Sequence, residues 1–139
     1  MQRLLVRTLG EKRAIDLYQK MFGRPFHAYQ YDSIRPYLDV DKDLDMECYP
    51  CILPNWDNTP RSGLNGFVFM NASPGRFREH LREAMKRVEG YQDDHRIIIL
   101  KSWNEWAEGN HLEPDLKLGR AFLEAIRSEL VCYQSNLQG

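Results

Sequence analysis

Ile97-Ile98-Ile99-Leu100-Lys101-Ser102-Trp103-Asn104-Glu105-Trp106-Ala107-Glu108-Gly109 is the stretch whose reading decides the fold. Its apolar, β-branched start predicts a strand buried on both faces, the pattern of a parallel sheet covered by helices. It then changes abruptly into indole rings, an amide and two carboxylates. A core strand ending in such a cluster delivers polar groups to the rim of a sheet, where α/β proteins keep their chemistry.

Upstream of it, Phe67-Val68-Phe69-Met70 reads as a second buried strand. Ser73-Pro74 then supplies an N-cap and a first helical position. That helix is expected to run to about Val88. Phe77, Leu81, Ala84, Met85 and Val88 form its core face, and Arg78, Glu79, Arg82, Glu83, Lys86 and Arg87 a solvated one. Gly90 ends it and the Ile97 strand follows, a strand-to-strand distance that suits a right-handed βαβ unit. Pro114 and Asp115 are expected to open a last helix with Leu118, Phe122, Ala125, Ile126 and Glu129 along one side.

Glu11 to Phe22 reads as an amphipathic helix, with Ala14, Leu17, Tyr18, Met21 and Phe22 as its core stripe and Gly23 as its stop. Arg24 to Asp45 has no clear period. Its acidic group, Asp39, Asp41, Asp43 and Asp45, imitates the start of an EF-hand. The glycine and the terminal glutamate of that loop are missing, so a solvated loop or a poorly formed helix is expected. Met46 to Leu53 is a short apolar segment, interrupted by Pro50 and ended by Pro54, and reads as an irregular strand.

The whole is an α/β chain. It carries no dinucleotide fingerprint and no P-loop, and its strands end in aromatic and carboxylate residues, as on the catalytic face of a (β/α)8 barrel. A full barrel takes about 250 residues, and this chain has 139. The expectation is a single partial domain over residues 1–139, a truncated set of barrel units; a small open sheet is the alternative.

Bulk properties narrow the functional classes. The net charge of -1 is a mixture of both signs with no basic stripe, so capture of nucleic acid or an anionic membrane is not indicated. No apolar run approaches the roughly 20 residues of a membrane span. Met1 to Gly10 carries arginines throughout and does not read as a signal peptide. Cys48 and Cys51 form a lone C-x-x-C, with Cys132 far away. No second pair completes a zinc site, and Pro54 follows too closely for a thioredoxin-like helix, so buried reduced thiols and a cytoplasmic setting are expected.

Two places carry candidate chemistry. Glu105 and Glu108 are three residues apart, and on a helical turn their Cβ atoms would lie about 5–6 Å from each other. Retaining glycosidases hold their two carboxyl groups about 5–5.5 Å apart. Trp103 and Trp106 flank the pair and would give one carboxyl the low-dielectric wall that a general acid needs. Asn104 would be a donor to a substrate hydroxyl, and Gly109 permits a sharp turn. The opposing reading is that E-x-x-E is common on helix surfaces. A metal set of Glu105, Glu108, His111, Glu113 and Asp115 lacks any fixed ligand spacing, so neither metal nor cofactor is expected.

The second place is Asn55-Trp56-Asp57-Asn58-Thr59-Pro60-Arg61-Ser62-Gly63. A flat ring beside Asp57 and Arg61 suits a sugar, with apolar C–H faces and hydroxyls to satisfy. Equally open is a Trp that anchors the loop onto the core while Asp57 caps a turn.

Together, Lys101 to Asp115 and Trp56 to Arg61 resemble the WbsX family of polysaccharide and O-antigen loci, which is related to glycoside hydrolase family ninety-nine. The resemblance covers about Tyr29 to Arg127. It implies a (β/α)8 barrel, a carbohydrate substrate, and either glycan hydrolysis or glycosyl transfer. Family ninety-nine enzymes carry two glutamates in a motif like N-E-W-H-E-G. Carried over, Glu105 would deprotonate the sugar 2-hydroxyl and Glu108 would act as acid and then base, with retention. Trp56, Asp57, Arg61, Trp103, Asn104, Trp106 and Glu113 would then be substrate-binding candidates. Ala107 stands where the hydrolases have histidine, so the substrate contacts differ. The Trp56–Arg61 loop belongs to WbsX proteins rather than to the hydrolases. An inactive remnant of a larger enzyme is the third expectation.

Overall fold

The computed structural model describes residues 2–38 and 48–137. The Asp39–Asp45 acidic group and Met46 therefore lie outside the described residues. In chain order, α1 spans Gln2–Leu9, α2 Glu11–Phe22, β1 His27–Gln30 and α3 Tyr31–Leu38. Then come β2 Cys51–Ile52, α4 Thr59–Ser62, β3 Phe67–Met70, α5 Pro74–Val88 and β4 Ile99–Leu100. A small hairpin, β5 Asn104–Glu105 and β6 Asn110–His111, precedes α6 Ala121–Leu137. The mixture is α/β, with β1 parallel to β3 and β2 parallel to β4.

Helix α5 forms as its sequence requires. Ser73 is extended, and its hydroxyl accepts from the Arg76 amide at 3.3 Å, satisfying one of the first-turn donors. Pro74 occupies the first turn, where its missing N–H costs nothing. Phe77, His80, Leu81, Ala84 and Val88 recur at helical spacing and are all buried. Phe77, Leu81 and Ala84 meet Ile52, Leu112, Phe122 and Ala125 in the main core, with Ile98, Leu100 and Leu118 packed against it. A second core of Tyr31, Leu53 and Phe69 lies beside it. The Tyr31 hydroxyl donates to the Leu53 carbonyl at 2.6 Å and lies 3.2 Å from His80 Nδ1, and burial pushes the phenol well above its usual range.

Several expectations are corrected. The Phe67 and Ile97 strands do not form one βαβ ladder, because residues 56–58 run antiparallel along the second edge of β3. Phe69 N–H donates to the Trp56 carbonyl at 2.8 Å, and Asn58 N–H to that of Phe67 at 3.3 Å. With that edge taken, β4 pairs with β2 instead. The Ile97 strand is also not buried on both faces. Helices α5 and α6 cover only the side of Ile98 and Leu100, leaving Ile97 46% and Ile99 50% exposed.

The Arg24–Asp45 segment, read as a solvated loop or a poorly formed helix, holds a strand, β1, as well as the helix α3, which has Pro36 inside it. Tyr31, Ile34 and Leu38 face the second core from α3, so an i, i+3, i+7 signal was present there. The stripe on α2 is buried only at Ala14 and Tyr18; Leu17, Met21 and Phe22 keep much of their surface. Gly23 ends α2 in the left-handed conformation, with its N–H on the Gln19 carbonyl at 2.9 Å. The last helix starts at Ala121, not at Pro114. The Asp115 carboxylate accepts from the Lys117 and Leu118 amides, and the turn closes on Gly119 before the helix begins. Cys48 and Cys51 are half-buried and not joined by a disulfide, whereas Cys132 is exposed rather than buried.

The polar face of α5 is also not simply solvated. Arg35 of α3 pairs with Glu79 and Glu83, and Arg76 with Asp32. Buried Glu129 of α6 accepts from Arg82 through both oxygens, at 2.9 and 2.7 Å, and forms an ion pair with Arg78 at 3.2 Å. These contacts, led by the Arg82 hydrogen bonds, hold the Glu129 carboxyl below its ordinary range. A depressed carboxyl contributes stability above the unfolded-state value, roughly pH 4.3, and loses it as pH falls through the folded value. Glu129→Gln is therefore expected to lower the urea midpoint at pH 7 and to narrow the stability difference between pH 7 and roughly pH 3. A midpoint at pH 7 equal to wild type would contradict this.

Candidate functional site

The polar end of β4 is a hairpin, not a helix. Ile99 and Lys101 donate to the Pro50 and Ile52 carbonyls at 2.9 and 3.0 Å, carrying the chain out along β2. The Lys101–Ser102 peptide is cis. Asn104 then pairs with His111 and Glu105 with Asn110, in antiparallel register. The Trp103 carbonyl accepts from both Leu112 and Glu113 amides, at 2.9 and 3.1 Å. Between the two short strands, Trp106–Glu108 make one 3-10 turn, closed by Gly109 at φ 58°. Glu105 and Glu108 therefore stand at the start and end of a single tight turn, at the exposed end of a parallel strand.

Asn110 organises this hairpin from beneath. It is fully buried, its Oδ1 accepts from Ser102 N–H at 3.1 Å, and its carbonyl accepts from Ser102 Oγ at 2.7 Å. Ser102 Oγ in turn accepts from the Glu105 amide at 3.1 Å. A short polar residue after a glycine carries no motif, and neither Asn110 nor Ser102 stood out in the sequence. Burial of an amide beside a turn glycine is legible only once the hairpin is known.

The Trp56–Arg61 loop docks onto the same turn. The Asp57 amide donates to the Glu108 carbonyl at 2.8 Å, and Arg61 Nη2 meets Glu108 Oε1 at 2.6 Å. Gly109 packs so tightly here that a Cβ would fall 2.8 Å from the Asp57 carbonyl oxygen. The Asp57 carboxylate accepts from Thr59 N–H at 3.0 Å and Thr59 Oγ1 at 2.6 Å, which caps the first turn of α4. Trp56 packs on the second core with Lys101 Nζ 4.5 Å above its ring, so it also anchors the loop.

Of the sequence candidates, the structure brings Glu108, Arg61 and the Asp57 backbone into direct contact. Asn104 and Glu105 are exposed on β5. Trp103 and Trp106 are each about half exposed, so they do not enclose the glutamates in a low-dielectric wall. Trp106 instead stacks on His111, centroids 3.8 Å apart and planes 14° apart, and its Nε1 donates to Glu113 Oε2 at 2.6 Å. His111 Nε2 donates to Asp115 Oδ2 at 3.2 Å. The Leu118 amide, with the His111 hydrogen bond and the Lys117 amide, holds the Asp115 carboxyl below the usual carboxylate range. Among the described residues no group of three or more His, Cys, Asp or Glu is placed to hold a metal ion, and no helix is long and apolar enough to cross a membrane.

Known proteins are similar to part of this chain. Two proteins called "Uncharacterized protein WxcX", from Xanthomonas campestris pv. campestris strains B100 and ATCC 33913, are each 44% identical to it over 87 residues. That segment is 62% of this chain but 12% of each relative, so the chain spans only a small part of the length of the curated relatives it matches. No solved structure matches. Residues 3–126 match the family described as Glycosyltransferase WbsX. By that match over most of its length, the chain belongs to the WbsX glycosyltransferase family.

Proposed function

We propose that this chain supplies part of the active site of a carbohydrate-active enzyme, with Glu105 and Glu108 as its acid/base pair and a bacterial polysaccharide or its precursor as substrate. The observation that carries the reading is the union of two loops at one turn. Asp57 holds the Glu108 backbone, Arg61 holds its carboxylate, and Glu105 stands one turn away. Two carboxyl groups on one short turn, beside half-exposed indole rings, fit the chemistry of a glycosidic bond better than that of a phosphate or a peptide.

The route proceeds with retention at the anomeric carbon. Glu105 takes the proton of the sugar 2-hydroxyl, whose oxygen attacks the anomeric carbon while Glu108 protonates the leaving oxygen. Glu108 then takes a proton from water. That water opens the anhydro-sugar at the anomeric carbon, and Glu105 returns its proton to the 2-oxygen. Arg61 must release Glu108 as substrate enters, and its 57% exposed side chain has solvent to swing into. Trp103, Asn104, Trp106 and Glu113 would line the sugar path, with Trp56 and Asp57 holding the loop that carries Arg61. The parallel strand pairs, their intervening helices and the bare Ile97–Ile99 face of β4 support a set of (β/α)8 barrel units rather than an open two-layer sheet.

Transfer by the same turn is the second reading, favoured by the family's description. The two separate in one experiment. The protein is incubated with bacterial surface polysaccharides, with and without nucleotide-sugar donors, and new reducing ends are compared with donor-dependent chain growth. Reducing ends without donor are the expected result. Growth only with donor would replace hydrolysis by transfer, and neither product would overturn the assignment of the glutamates.

A further inference from the structure

Behind the turn lies a chain of contacts that the acid/base reading does not use. Asp115 is fixed by the amides of Lys117 and Leu118, at 2.8 and 2.5 Å. It holds His111 through Nε2, and the imidazole lies flat beneath the Trp106 indole. Glu113 clamps the edge of the same indole through Nε1. The His111 stack sets the tilt of the ring, and the Glu113 bond sets its rotation about the stacking axis. Even so, Trp106 remains 49% exposed. An ordinary surface tryptophan has no reason to be fixed in both respects while leaving so much of itself in water. A ring meant to receive a flat, apolar ligand face has one, because orientation fixed beforehand removes an entropic cost of binding.

We propose that His111 and Asp115 are positioning residues, which hold Trp106 as a stacking platform for a pyranose ring beside Glu105 and Glu108. The sugar lays a face of C–H groups on the indole surface turned away from His111, an apolar contact of the kind aromatic rings make. The ligand class is a hexopyranose unit of a polysaccharide, bound through its carbon face rather than through charge. This assignment of the ligand rests on the glycan reading above; the positioning of the ring does not.

The test uses the full chain and two readouts. Near-UV circular dichroism reports the fixed indole, and retention on an array of immobilised bacterial surface polysaccharides reports binding. His111→Ala is expected to remove the Trp106 contribution to the near-UV spectrum, identified by difference against Trp106→Phe. His111→Phe restores a flat ring beneath the indole and is expected to restore most of that signal. On a polysaccharide that wild type retains, His111→Ala should weaken retention at least tenfold and His111→Phe less than threefold. Should His111→Ala fail to fold, Asp115→Asn keeps the Oδ1 acceptor for the two amides, removes the carboxylate from His111, and should lower the signal by about half. An unchanged near-UV spectrum in these variants overturns the positioning role. An altered spectrum with unchanged retention overturns the platform. Retention of wild type by no polysaccharide overturns the glycan reading and the platform, while the spectrum alone still decides the positioning.

Discussion

Glu108→Gln in the full chain should lower turnover of the polysaccharide substrate at least a hundredfold, the range by which a positioned acid/base group acts. The replacement is close to isosteric, and the amide oxygen can still accept from Arg61. Folding should be preserved because both partners of the ion pair reach solvent, and such pairs are worth about 0–1 kcal/mol. The backbone link survives as well, since the Glu108 carbonyl that accepts from Asp57 does not depend on the side chain. Rates of reducing-end release or donor-dependent transfer, with urea midpoints alongside, make the check. Turnover within threefold of wild type would remove Glu108 from the chemistry, whichever reaction is read.

The second large effect is at Gly109. Gly109→Ala should destabilise the protein by roughly 2–5 kcal/mol and cut activity more than tenfold. A left-handed backbone costs a residue with a Cβ about 1–2 kcal/mol. Forcing extra atoms into a close contact costs about 1–3 kcal/mol more. Here the new Cβ would meet the Asp57 carbonyl oxygen at 2.8 Å and its nitrogen at 3.1 Å, main-chain atoms that cannot rotate away. Gly119→Ala is the control: its φ is also positive, at 57°, but nothing lies within 4 Å of its Cβ position. It should show only the backbone cost and leave activity close to wild type. Equal loss in both variants would mean that the contact with Asp57 carries no weight.

Much of the helical frame was legible because helices carry their own grammar. Ser73-Pro74 and Gly23 mark ends that the structure keeps, and the Phe77–Val88 spacing marks the buried face. What escaped was decided by partners distant in sequence. The isoleucine run looks the same whether one side or both is covered, and only the placement of α5 and α6 leaves Ile97 and Ile99 bare. The pairing of β4 with β2 follows from a loop that takes the edge of β3, which no local pattern announces. In the site, the glutamates and Arg61 stood out by type and spacing. Asn110 and Ser102 did not, and His111 and Asp115 stood out only as members of a metal set, because their roles arise only when the hairpin folds back on itself.

The link between Asp57 and Glu108 joins main-chain atoms of two motifs that are far apart in sequence. No side-chain exchange at either position removes it, except proline at 57, which lacks the N–H. A change of loop length would. The frame that presents the acids, amides and rings of this turn is therefore set by main-chain geometry and loop length.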